Sequence, residues 1–257
     1  MRCQLRGSAT LVFLVAATGI LLALSGCAGD EKPAITAGVD ACDACNMVID
    51  QVNQACGYVR EGNFVPFDSP GCLLRAYQTL PKQERPLATG IYFADYRDAT
   101  FHVASGTSFL LTSHLPTVMN AQVICFGNRE AAVATRTHDD EVVTDWPGYR
   151  TARGEPDRVV EVTIGSDGMV PESVEVAKGD LVAWRISGRG LQRDLAFTIE
   201  GYPEVGSVVV PASGAEVRFR LLALRPGAGF PLLVTADGRL LGKLKVTGPH
   251  TLDEEAM

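Results

Sequence analysis

No block of lysine and arginine interleaved with aromatic residues occurs anywhere in the 257-residue chain, and 30 acidic residues outnumber 23 basic ones. Such a chain lacks the electrostatic footprint that a phosphate backbone requires, so nucleic acid is excluded as a partner. Histidine is scarce at four residues, and His102, His114 and His138 show no metal-site spacing. CxxC occurs once, at Cys42 and Cys45. A zinc site normally takes four Cys or His ligands, usually from two such pairs, and that pattern is missing. The apolar run from Ala9 to Leu24 is diluted by Thr10, Thr18 and Gly19 and falls short of the ~20 residues of a spanning helix. From Arg158 to Val246 there is neither Cys nor His.

The chain does open on a targeting signal. Arg2 and Arg6 form a short basic stretch, the apolar run follows, and Leu24-Ser25-Gly26-Cys27 closes it as a lipobox. Small residues before a cysteine suit a lipoprotein signal peptidase, so residues 1–26 are expected to be a signal peptide and Cys27 the lipidated first residue of the mature chain. This implies a protein of the bacterial cell envelope, anchored to a lipid membrane through acylated Cys27 and facing the periplasm or exterior. Residues 27–40, with no apolar periodicity, read as a flexible tether.

With Cys27 committed to lipid, Cys42, Cys45, Cys56, Cys72 and Cys125 remain, an odd number in a compartment that permits disulfides. At least one thiol stays unpaired within the monomer. Metal binding is one reason to retain it, and an inert buried position is another.

The pattern along the chain favours two domains, residues 41–150 and 157–248, with a tail at 249–257. The polar stretch from Arg150 to Asp157 separates them. In the first, strands at Gly57–Arg60 and Phe64–Phe67 precede a helix opened by Asp68-Ser69-Pro70 and ending near Leu80, then a strand from Gly90 to Tyr96. A second pass gives Thr100–Ala104, Gln122–Phe126, a helix from Asn128 to Thr137, and Glu141–Thr144. The order ββαβ occurs twice, which predicts an α+β domain made by duplication. The second region alternates over short segments (Val159–Ile164, Ser173–Val176, Leu181–Ile186, Val217–Leu221) between Gly, Pro and Asp turns, and reads as an all-β sandwich.

Cys42-Asp43-Ala44-Cys45-Asn46-Met47 carries the chemistry. Thiolate and thioether sulfurs are soft and polarisable, as copper(I) is, and a Met beside a CxxC is more specific than CxxC alone. The alternatives are a disulfide or redox pair at Cys42 and Cys45, with Met47 as ordinary core. Cys56 and Cys72 either pair for stability or stay free, and Cys125 reads as buried.

Cys45-Asn46-Met47, Pro66-Phe67-Asp68-Ser69-Pro70-Gly71-Cys72, Ile91-Tyr92-Phe93-Ala94-Asp95-Tyr96 and Met119-Asn120-Ala121-Gln122-Val123-Ile124-Cys125-Phe126 stand in the order seen in the NosL family. The stretch from Ala41 to Trp146 resembles that family. The resemblance implies a lipoprotein with a repeated ββαβ fold that binds copper(I) without turnover and delivers it to nitrous oxide reductase or its maturation complex, with a membrane transporter as a further partner. Carried over by position, it implies Cys45 as thiolate and Met47 and Met119 as thioethers, with Cys42 ranked below them as a fourth ligand or redox guard, and His114 assisting. Asn46 stands where Gly is usual, and Asn120 rather than Gly follows Met119, which leaves the loop geometry at both sulfurs open. The rival expectation is an envelope thiol-disulfide oxidoreductase using Cys42 and Cys45.

The second region resembles a cupredoxin through Val170-Pro171-Glu172-Ser173-Val174-Glu175-Val176-Ala177-Lys178-Gly179-Asp180-Leu181-Val182. Where cupredoxins place their ligands, Arg193–Phe197 and Phe230–Leu241 here hold no His, Cys or Met. Its single sulfur, Met169, is expected in a turn. The stretch Phe197–Val205 is similar to the electron-entry domain of nitrous oxide reductase, which implies a docking module or a spacer rather than a copper site.

Overall fold

The computed structural model describes residues 33–248, in which β-strands predominate and helices are few. The expected leader, Cys27 and the tail at 249–257 lie outside these residues. No helix among the described residues is long and apolar enough to cross a membrane.

The expected tether stops short of residue 40. Thr36 N–H donates to the Asp40 carboxylate at 2.6 Å, Ile49 N–H donates to the Asp40 carbonyl at 2.8 Å, and Ile35 packs on the first core. A turn stapled by its own aspartate has therefore joined the folded body.

The first half comprises β1 (Cys56–Arg60), β2 (Asn63–Phe67), α1 (Pro70–Thr79), β3 (Ile91–Ala94), β4 (Phe101–Val103), β5 (Ser108–Leu111), β6 (Val123–Phe126), α2 (Arg129–Thr135), β7 (Val142–Thr144) and α3 (Trp146–Arg153). One antiparallel sheet runs β2-β1-β3-β4 and a second runs β6-β5-β7. The segment Thr100–Ala104, expected to open the second ββαβ pass, supplies β4 to the first sheet instead. The strand that pairs with β6 is β5, with Phe109 opposite Cys125.

Helix α1 starts where the sequence says. Ser69 accepts the Cys72 N–H at 3.3 Å and Pro70 takes the first helical position, where its missing donor costs nothing. Asn128 caps α2 in the same way through Ala131 N–H at 2.9 Å. The polar stretch after Arg150, read as an irregular break, is helical to Arg153. Asp145 caps α3 through Gly148 N–H at 2.8 Å, and Trp146 and Tyr149 are fully buried. These two rings join Phe93 of β3 and Phe109 of β5 in one cluster, with Phe93–Phe109 centroids 4.8 Å apart and Phe109–Tyr149 stacked at 5.0 Å. Burying each such ring contributes about 1.5–3 kcal/mol, which holds both sheets and α3 to a single core.

The second half comprises β8 (Arg158–Gly165), β9 (Gly168–Val170), β10 (Ser173–Ala177), β11 (Leu181–Gly188), β12 (Leu195–Ile199), β13 (Val208–Val210), β14 (Val217–Leu222), β15 (Gly227–Val234) and β16 (Leu240–Thr247). Two sheets, β10-β16-β15-β12-β13 and β14-β11-β8-β9, enclose a core around Trp184, Phe197 and Tyr202. This is the expected sandwich. Met169 lies within β9 and is buried in that core, not exposed in a turn. Arg85 pairs with Asp157 at 3.1 Å, Lys82 pairs with Asp180, and Gln78 exchanges hydrogen bonds with the Glu155 backbone, so α1 and the turn after it lie against the start of the sandwich.

Candidate metal centre

The CxxC segment is a closed loop. Cys42 N–H donates to the Met47 carbonyl at 2.8 Å, Asn46 N–H donates back to the Cys42 carbonyl at 2.8 Å, and Ala41 bridges Val48. Closing so tight a loop takes a residue with positive φ, and Asn46 supplies it at +60°. Asparagine is among the few residues other than glycine that enter this region readily. Asp43 N–H donates to the Pro66 carbonyl at 3.0 Å, which ties the loop to the end of β2.

That tie brings the CxxC loop to the start of α1. The ligand atoms of Cys42, Cys45, Asp68 and Cys72 all lie within 4.8 Å of one another. Cys72 occupies the third helical position, and side chains there lean back toward the helix N-terminus, so its sulfur faces the loop. Asp68 Oδ1 accepts from the Ser69 hydroxyl at 3.1 Å and Oδ2 from the Cys45 thiol at 3.4 Å. Cys42, Cys72 and Asp68 are buried at 0, 2 and 3% exposure, and Cys45 is the half-buried member through which the group meets solvent.

Burial pushes the Cys42 thiol up from its ordinary range, while backbone amides of Asp68, Cys45 and Ala44 directed at its sulfur pull the other way. Burial likewise raises Cys72, and the Ser69 hydroxyl opposes it. Desolvation also raises the buried Cys56 and Cys125 well above the ordinary thiol range, and both pack in the first core. All five cysteines of the described residues are free thiols. The Cys56–Cys72 and Cys42–Cys45 disulfides weighed from the sequence are not formed.

Met47 and Met119 differ from core methionines in being half exposed, at 52 and 49%. Met119 sits in a loop where it, Asn120 and Gln122 all have positive φ, at +55°, +51° and +53°. Gln54 anchors this loop by accepting the Val118 N–H at 2.9 Å. Ala121 packs on the same core as Cys45 and lies against Gly71, beside Cys72, where a Cβ would touch it at 3.4 Å. The loop of Met119 thus packs next to the helix end that carries Cys72.

His114 has other partners. Its ring stacks on His138 at 3.6 Å and its Nε2 meets the Asp140 carboxylate at 2.9 Å, which fastens the β5–β6 loop to the α2–β7 loop. His102 lies over Gly127, where a Cβ would come within 2.4 Å of its ring. A cavity of about 600 Å³ lies between α3 and β14, lined by Trp146, Thr151, Arg220 and Leu222, and contains none of these sulfurs.

Cys72 and Asp68 are the members that sequence reasoning left out of the site. Their signal was present in the helix-start text Asp68-Ser69-Pro70-Gly71-Cys72, since a capped first turn aims its third residue backward. Nothing in the spacing, however, told which loop it would meet.

No family profile matches the chain, and no curated protein matches it in sequence. Solved structures do match in part. Auracyanin B is 14% identical, over 37% of this chain and 91% of its own, with a TM-score of 0.28. Auracyanin A, a "blue" copper protein from the green thermophilic photosynthetic bacterium Chloroflexus aurantiacus, is 18% identical over 35% of this chain and 99% of its own, at 0.27. The metal-binding domain of the Cu(I)-exporting P-type ATPase CopA of Streptococcus pneumoniae D39, with Cu(I), is 13% identical over 37% and 91%, at 0.28. Likeness at this level carries no argument about what the present chain binds, which rests on its own donor atoms.

Proposed function

We propose that the protein is a membrane-anchored copper(I) metallochaperone that takes up the ion at Cys45, Met47 and Met119 and delivers it for maturation of nitrous oxide reductase. The observation that carries the reading is a half-buried thiol at Cys45 and a half-exposed Met47 on one loop closed by Asn46 at positive φ, with a half-exposed Met119 on a second positive-φ loop that packs beside the start of α1. Exposed methionines in strained loops fill no core, and their sulfurs suit a soft monovalent ion. One thiolate and two thioethers around Cu⁺ make a neutral group, which avoids the cost of burying net charge. Three ligands also leave the ion open to a further sulfur from a receiver, so copper passes by ligand exchange. Cys42, directly behind Cys45, is the reserve ligand.

The NosL resemblance supports the receiver and the anchor. The chain orders β1-β2-α1-β3 and β5-β6-α2-β7, with β4 added to the edge of the first sheet, are in keeping with duplicated ββαβ units. Lipid on Cys27 keeps the site in the envelope, because the eight residue steps to Ile35 span at most about 28 Å. The cupredoxin-like sandwich, without Cys or His, contributes no ligand and either docks the receiver or is a spacer that follows the copper-binding half.

Delivery is tested in the source cell. Cells lacking the protein are expected to make nitrous oxide reductase deficient in copper, restored by the wild-type gene and not by Cys45→Ser. Full copper content in the deletion strain contradicts the proposal.

A further inference from the structure

Cys72 and Asp68 have no part in a copper site made of Cys45, Met47 and Met119, yet with Cys42 and Cys45 they complete a second donor set. Three sulfurs and a carboxylate oxygen lie within 4.8 Å of one another, and the Cys45–Asp68 edge is already 3.4 Å. A tetrahedral ion with metal–sulfur bonds of about 2.3 Å and metal–oxygen bonds of about 2.1 Å has edges of roughly 3.5–3.8 Å. The group therefore needs to contract by about 1 Å at most to close on one ion.

The carboxylate decides which ion. Asp68 is 3% exposed, and the partners of its carboxylate are the Ser69 hydroxyl and the thiols of Cys45 and Cys72, none of them a cation. Buried carboxylates are ordinarily paired with a cation or bound to a metal. Copper(I) is satisfied by two or three sulfurs and gains little from a hard oxygen, whereas zinc-type ions accept thiolate and carboxylate together in a closed four-coordinate site.

We propose that Cys42, Cys45, Cys72 and Asp68 form a closed tetrahedral site for a divalent ion of the zinc type, and that this ion and copper(I) exclude each other at Cys45. The exclusion rests on the copper reading above; the tetrahedral site does not. Each thiol gives its proton to water as it binds. A zinc-type ion in place withdraws Cys45 from the surface, and copper(I) takes Cys45 back by displacing it.

Cobalt(II) is the probe, because its spectrum reports both geometry and the number of thiolates. The full chain, reduced and metal-free in detergent, is titrated with Co²⁺ and then with Zn²⁺ without oxygen. One equivalent with intense tetrahedral bands and thiolate charge transfer, displaced by Zn²⁺, is expected. Cys72→Ser removes about one third of the charge-transfer intensity, as one of three thiolates is lost. Asp68→Asn keeps that intensity and lowers the affinity by about tenfold or more. Met47→Ala/Met119→Ala leaves the Co²⁺ spectrum unchanged. A weak octahedral spectrum in the wild type, or unaltered intensity in Cys72→Ser with its fold intact by circular dichroism, overturns the site. Should Cys72→Ser unfold, the same one-third loss in Cys45→Ser, at the half-buried position, decides. Adding one equivalent of copper(I) should expel the cobalt. Both ions bound together overturn the shared ligand, and failure of copper(I) to bind refutes the copper reading while the cobalt spectrum still judges the tetrahedral site.

Discussion

The Cys45 thiol donates to the Asp68 carboxylate across 3.4 Å although 23 residues separate them, and that contact ties the CxxC loop to the residue just before the cap of α1. Neither partner is held by its neighbours in sequence alone. The loop is positioned by Asp43 on β2, and Asp68 by the turn into a helix that Ser69 caps. Disturbing either support should therefore alter metal binding without touching a sulfur.

Asn46 gives the first such test. Its φ of +60° closes the loop that carries the two cysteines. Asn46→Gly should fold and bind copper(I) like the wild type, since glycine enters this region without penalty. Asn46→Val should cost about 1–2 kcal/mol in chemical denaturation and weaken copper(I) binding, because a β-branched residue meets steric conflict there. Equal behaviour of the two variants would show that the loop conformation does not govern the site.

Gln54 is the second. It holds the Met119 loop through Val118 N–H at 2.9 Å while itself nearly buried. Gln54→Leu leaves that amide without its partner, at about 1–3 kcal/mol of stability. Copper(I) affinity should fall while Co²⁺ binding at the thiol group is retained. Loss of both together would mean that the loop and the thiols are not separable.

Much of this architecture was legible. The caps Ser69 and Asn128 and the main sandwich strands could be read from turn chemistry and alternation, and the CxxC with Met47 stood out by composition. Strand β5 was not legible, because Ser108-Phe109-Leu110-Leu111 is apolar on both faces and shows no alternation. Helix α3 was missed because Pro147 and Gly148 look like breakers, yet both fall in its first turn, where proline is tolerated. Cys72 and Asp68 escaped because their meeting with Cys45 is set by tertiary packing, which no local period encodes.

Stability should fall in acid for a definable reason. Thr112, and the backbone amides of Thr137 and His138, hold Glu141 down from 4.5 to about 2, and Arg97 holds Asp95 well below its ordinary range. Both pKa values are depressed in the folded state, so their contribution is complete above about pH 4.5 and is lost as pH falls toward 2. Denaturation midpoints should decline across that window, and Glu141→Gln should flatten the decline. A Glu141→Gln protein with the wild-type slope would remove this carboxylate from the account.

The oxidoreductase reading makes an opposite forecast about the methionines. A redox pair works through Cys42 and Cys45 alone, so its thiol-disulfide exchange would survive Met47→Ala/Met119→Ala and vanish in either cysteine variant. We expect the full chain to show no turnover in a disulfide-reductase assay. Sustained turnover that is indifferent to the methionines would favour the enzyme.

The central claim is that exposed thioethers complete a copper(I) site, and a competitive copper(I) titration of the full chain tests it most directly, reduced and without oxygen, beside Met47→Ala/Met119→Ala. Loss of an outer hydrogen-bond partner already costs metal sites about 10–100-fold in affinity, and loss of two ligands should cost at least that. One tight equivalent in the wild type and a drop of this size in the variant is the predicted result. Equal binding by both proteins, or binding by neither, contradicts the account.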